Sequence, residues 1–145
     1  MMSKIFQISK NDCDDLGFTT TSLIGNVISF EEFKEWIYFV IEQSNDVPDY
    51  IFDILDAKEK FDYTLRVSQI IGYNPYWECS KQERYALYGI AYKRNAKHES
   101  DAVLREEALK ALEKNPHILQ RFRETFPFID FEKKGARLDL ISMAA

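Results

Sequence analysis

The chain has 145 residues, of which 46% are hydrophobic and 30% charged, with a formal net charge of −5. That balance fits one globular domain able to bury its own core, and it excludes a low-complexity or disulfide-stapled chain. No run approaches the roughly 20 apolar residues of a membrane-spanning helix. The charge is uneven: residues 1–62 carry 5 Lys+Arg against 13 Asp+Glu, a balance of −8, and residues 63–145 carry 14 against 11, a balance of +3. An acidic half repels nucleic-acid phosphates and attracts a basic protein.

Residues 1–28 are the least patterned and are expected to form an irregular arm. Residues 4–9 alternate weakly enough to suit a short strand, and the polar run 19–22 with Gly25 reads as a loop. The start, Met1-Met2-Ser3-Lys4, soon turns polar at Asn11, Asp12, Asp14 and Asp15, unlike a signal peptide. With two isolated cysteines, Cys13 and Cys79, a reducing cytoplasmic setting is expected.

The helical signal then sharpens. Ser29 and Glu32 have capping-box spacing, and Phe33, Trp36, Ile37, Val40 and Ile41 follow at helical intervals, predicting a helix over 29–44. Asn45-Asp46-Val47-Pro48 is a turn, and Pro48 opens a second helix reaching about Ala57. A third is predicted over 61–71, with Leu65 buried and Gly72 ending it. After an aromatic turn containing Tyr73, Tyr76 and Trp77, a Ser80/Glu83 capping box opens a helix through about Ala96. Two more are predicted over 101–114 and 116–126, and 128–145 is a tail without clear period. About six helices with short connections predict a single all-α domain over 1–145, with an N-terminal strand or arm.

Catalytic and metal motifs are absent. His98 and His117 are the only histidines, and no H-E-x-x-H or paired C-x-x-C occurs. The run 12–17 imitates the start of a calcium loop, but Leu16 and Leu23 stand where oxygen ligands are required. None of the five glycines builds a phosphate loop or nucleophile elbow, and neither cysteine adjoins a histidine. The expectation is therefore no catalytic residue, no metal and no cofactor. The aromatic row Tyr85, Tyr88 and Tyr92, interleaved with Arg84, Lys93 and Arg94, reads as a half-buried helix face rather than a base-stacking platform.

The acidic side chains form the most distinctive pattern. Glu31, Glu35 and Glu42 share one face of the first predicted helix, with Tyr38 and Phe39 beside it. Asp46, Asp49, Asp53 and Asp56 recur at offsets of three, four and three, forming one stripe if all four lie on one helix. Like charges so spaced cost a few tenths of a kcal/mol per pair, which binding of a basic partner would explain; the other reading is a plain solvated face whose acids suit the helix dipole. Trp77, with Tyr73 and Tyr76, is a second candidate anchor, because large rings with one polar atom are typical of interfaces; the same cluster equally suits a wedge that packs the turn into the core.

Two resemblances follow. The run Arg94-Asn95-Ala96-Lys97-His98 is similar to the Arg-polar-His motif of helical HEPN-type ribonucleases, with a shorter interval. At that interval Arg94 and His98 would share one helical face, and the resemblance implies acid–base work by His98 with Arg94 on phosphate; the plain reading of Lys93, Arg94, Lys97 and His98 is a positive helix end complementing the dipole. The run Ser29-Phe30-Glu31-Glu32-Phe33-Lys34-Glu35-Trp36, with Val47-Pro48-Asp49-Tyr50-Ile51 and Leu55, resembles small helical immunity proteins of bacterial contact-dependent and polymorphic toxin systems. That resemblance implies a cytoplasmic, non-enzymatic inhibitor whose partner is a cognate toxin, often a nuclease with a basic cleft. Glu31, Glu35, Tyr38, Glu42, Asp46, Asp49, Asp53, Asp56 and Trp77 would form the binding face. A regulatory adaptor using the same acidic face on another basic protein is the remaining alternative.

Overall fold

A computed structural model describes residues 5–130. Its regular structure is helical throughout, with eight helices among the described residues rather than about six: α1 Asp14–Ile24, α2 Phe30–Gln43, α3 Tyr50–Leu55, α4 Lys60–Thr64, α5 Val67–Ile71, α6 Lys81–Arg94, α7 Arg105–Lys114 and α8 Pro116–Thr125. The expected tail lies beyond the described residues from position 131 onward. Among the described residues the helices group into two compact units, one built from residues 5–24 and 28–78, the other from 25–27 and 79–130.

In the first unit the expected irregular arm is largely a core helix. α1 buries Leu16, Phe18 and Leu23 together with Thr19, Thr20 and Ser22. The polar run 19–22 reads as a loop in sequence because such hydroxyls compete for backbone partners. Here two of them are satisfied inside the helix environment: Ser22 Oγ donates to the Phe18 carbonyl at 2.9 Å, and Thr20 Oγ1 lies 2.9 Å from Tyr63 Oη. Asp14 and Asp15 in the first turn complement the helix dipole. Ahead of α1, the expected strand reduces to one isolated antiparallel bridge between Ser9 and Asp12.

α2 forms as its capping box dictates. Glu32 N donates to Ser29 Oγ, Ser29 N donates to Glu32 Oε1, and the apolar face buries Phe33, Trp36, Ile37 and Val40 completely. α3 packs on α2 and α5 and contributes Ile51 and Ile54 to the core. The single helix expected over 61–71 is instead α4 and α5, broken at Arg66, whose φ of −128° and ψ of 17° leave the helical region. Tyr63 decides the register. Its ring is fully buried against Phe33, with centroids 4.9 Å apart, and its hydroxyl reaches Thr20. Two positions further on, Leu65 falls on the opposite side and is 78% exposed, contrary to the expectation of burial. Gly72 ends α5 in the left-handed conformation, φ 86°, as its position suggested.

The loop after α5 is tied to α1 and to the N-terminal segment. A Cβ at Gly17 would stand 2.0 Å from the Tyr76 carbonyl oxygen, so only glycine admits the loop there. Tyr50 and Tyr73 both direct their hydroxyls at the Ile8 carbonyl, Tyr73 at 2.9 Å, and the two hydroxyl oxygens are 3.0 Å apart. With one proton on each hydroxyl, two of these three contacts are hydrogen-bonded at a time.

In the second unit, α6, α7 and α8 pack on one another. α6 opens on the expected capping box, with Glu83 N donating to Ser80 Oγ and Ser80 N to Glu83 Oε1. Gly89 brings α6 against α7: a Cβ there would lie 2.6 Å from the Ala108 carbonyl oxygen. Tyr85 and Tyr88 are partly buried beside Tyr92, Val103 and Ala108, the half-buried face anticipated for that row. α7 starts at Arg105 rather than Asp101, and Val103 is buried in the preceding turn, where its carbonyl accepts from Tyr92 Oη at 2.8 Å.

Candidate functional site

The acidic face belongs wholly to the first unit. On α2 the buried Phe33, Trp36, Ile37 and Val40 set which side faces inward, so Glu31, Glu35, Tyr38 and Glu42 are exposed. Tyr38 retains 56% of its surface in solvent. Phe39, expected beside it, is half-buried with its ring edge-on to Phe6 at 5.9 Å.

The four aspartates do not form a stripe on one helix. Asp46 lies in the connection between α2 and α3, because Val47 precedes a proline and is kept out of the helical region. Asp49 is the first cap of α3, Asp53 lies within it and Asp56 is its last cap. Asp49 makes no side-chain capping bond, so its carboxylate is not spent on the helix end. All four are exposed, and Phe52, 49% exposed, stands among the three on α3.

None of Glu31, Glu35, Glu42, Asp46, Asp49, Asp53 and Asp56 has a side-chain hydrogen bond or ion pair with any described residue. By contrast, the neighbouring acids outside this set are used structurally. Asp62 Oδ2 accepts from Lys58 N and Glu59 N, and Glu32 closes the α2 capping box. Seven unneutralised carboxylates on one unit create a negative field that a basic surface would find at long range.

Trp77 is placed differently from the rest. Its ring packs edge-on against the buried Phe18, with centroids 4.9 Å apart, and it is half-buried. Its backbone nitrogen also faces Gly17. The ring therefore fastens the 73–77 loop to α1, and the exposed ring of that loop is Tyr76. Sequence periodicity missed Phe52, Phe61 and Leu65 as exposed apolar side chains. Phe52 was detectable, since it lies one residue from Ile51 and two from Ile54, off the line joining those buried positions; Phe61 and Leu65 depended on the α4–α5 break.

The proposed Arg94–His98 pair is not on one helical face. α6 ends at Arg94, Asn95 caps it in an extended conformation, and His98 follows in the next turn. Arg94 Nη1 donates to the Val27 carbonyl at 2.6 Å and its guanidinium lies over the Phe122 ring. His98 packs edge-on against Tyr92, with ring centroids 4.6 Å apart. Burial, and then the nearby Arg105 charge, holds the His98 imidazole below its ordinary pKa. The other histidine, His117, is exposed and its Nε2 lies 2.8 Å from Glu83 Oε2. The Ser80 backbone N–H, and secondarily His117, lowers the Glu83 carboxyl below the usual range.

Among the described residues, no three His, Cys, Asp or Glu side chains are grouped to hold a metal ion, and no helix is long and apolar enough to cross a membrane. No protein-family model, curated protein or solved structure matches the chain.

Proposed function

We propose that the chain is a binding protein for a basic protein surface, and specifically a cytoplasmic immunity protein that neutralises a cognate bacterial toxin by stoichiometric association. The observation that carries this is the set of seven exposed carboxylates without partners, from Glu31 to Asp56, with Tyr38 and Phe52 exposed among them. Glu31 and Asp53 suit the helix dipole from the first turns of α2 and α3, but none of the seven closes a cap or pairs with lysine or arginine, as Glu32 and Asp62 are used in caps. Tyr38 and Phe52 supply the apolar area that a charged rim alone lacks, because affinity concentrates in a few buried rings surrounded by polar contacts. The toxin assignment rests on the resemblance of residues 29–36 and 47–55 to helical immunity proteins. A basic nuclease domain fits such a face best, the acidic side chains occupying the place of nucleic-acid phosphates.

The alternative, a ribonuclease using Arg94 and His98, draws no support from their placement: α6 ends at Arg94, which donates to the Val27 carbonyl, and His98 lies beyond the helix against Tyr92.

Replacing Asp49, Asp53 and Asp56 by Asn tests the assignment. All three are exposed and without side-chain partners, so the triple variant is expected to fold as the parent does. It is expected to lose most protection in cells expressing the cognate toxin and to bind that toxin at least about tenfold more weakly, with the loss largely in association rate. Undiminished protection and affinity would remove the acidic face from the function.

A further inference from the structure

The N-terminal segment and the α2–α3 connection together enclose a partly open cavity of about 290 Å³. Ile5, Phe6 and Ile8 line one side; Ser44, Asp46 and Pro48 line the other. This volume lies at the lower edge of the ~300 Å³ where small-molecule pockets begin. It has room for one long side chain and not for a large ligand.

The walls are held in place before anything binds. The Ile8 carbonyl is gripped by the Tyr50 and Tyr73 hydroxyls. Phe6 meets Trp36 edge-on at 6.2 Å and Phe39 at 5.9 Å. Between them Gln7 N donates to Asp15 Oδ2 at 2.7 Å. A preformed pocket spares the occupant much of the ordering cost of association.

Its chemistry is one-sided. Among the described residues, the lining includes a carboxylate, Asp46, and no lysine, arginine or histidine. Asp46 is exposed and has no ion pair with a described residue. An apolar wall beside an unneutralised carboxylate matches a side chain with an alkyl stem and a cationic head. We propose that this cavity receives one lysine or arginine side chain of the protein partner, with its stem against Phe6, Ile8 and Pro48 and its charge at Asp46. The assignment rests on the preceding one for its partner, and it makes the pocket the point that fixes register on the acidic face.

The test is an amide-resolved NMR titration of the full chain with N-acetyl-lysine methylamide and N-acetyl-arginine methylamide, using the neutral citrulline analogue as control. The expected result is saturable shifts at residues 5–9 and 44–46 with the cationic probes. Binding should weaken about fivefold or more for citrulline and for Asp46→Asn, the size of one charge-assisted contact. Equal binding of citrulline, shifts located elsewhere, or undiminished binding by a folded Asp46→Asn variant would overturn the pocket. The two assignments fail separately. A negative titration alongside a toxin-binding loss in the Asp49/Asp53/Asp56 variant removes the pocket and leaves the acidic face. A positive titration with an unaffected triple variant does the reverse.

Discussion

Single residues here show how burial reassigns a side chain that sequence reads as ordinary. Tyr63 is fully buried and its hydroxyl has Thr20 as its partner, so burial raises its pKa well above the usual phenol value. Tyr63→Phe leaves the Thr20 hydroxyl buried without that partner and is expected to destabilise the first unit by about 1–3 kcal/mol, read as a lower urea midpoint. His98 gives a pH prediction. Its folded pKa lies below the unfolded value near 6.5, so the unfolded chain binds the proton more readily. The stability this contributes is complete above about pH 6.5 and is lost as the pH falls from there towards the folded pKa. Urea unfolding at several pH values should therefore show a decline below pH 6.5 that His98→Gln flattens; an imidazole resonance titrating at or above 6.5 would contradict the cause.

At the scale of elements, capping residues and backbone approaches decide more than propensity does. The boundaries of α2 and α6 were legible because Ser29/Glu32 and Ser80/Glu83 satisfy amide groups locally. α1 was not legible, because its hydroxyl-rich middle is stabilised by Tyr63, 43 positions away from Thr20. The α4–α5 break was hidden for a similar reason: the tertiary demand on Tyr63 set the register and turned Leu65 outward. Gly89→Ala should be costly for a reason that no helix scale contains, since alanine favours helices yet its Cβ would meet the Ala108 carbonyl at 2.6 Å. The expected loss is about 1–3 kcal/mol from forced separation of α6 and α7, measurable by calorimetry. A neutral or stabilising effect would mean that the backbone of α7 yields at little cost.

Over the whole molecule, the charge balance of −8 in residues 1–62 against +3 in residues 63–145 is the property most relevant to partners. Exposed charges are screened beyond about 8 Å at physiological ionic strength. Association with a basic partner is therefore expected to slow by about tenfold or more between low and physiological salt, with dissociation changing less. Stopped-flow or surface-binding kinetics across salt concentrations would check this, and a salt-independent association rate would count against electrostatic recognition.

The all-α character, the capped starts of α2 and α6, and the acidity of the segment from Glu31 to Asp56 were determined by the sequence alone, because local hydrogen bonding and residue spacing are short-range properties. Which carboxylates stand together was not. Pro48 takes Asp46 off the helix, and burial of Ile51 and Ile54 turns Asp49, Asp53 and Asp56 outward around Phe52. Trp77 reads in sequence as either an interface anchor or a wedge for its turn, and its contact with Phe18 gives it the packing role. The cavity beside Asp46 has no sequence signature at all, since it exists only where residues 5–9 come to lie against 44–48. Such contacts between distant segments are set by packing, and packing is what tertiary structure alone decides.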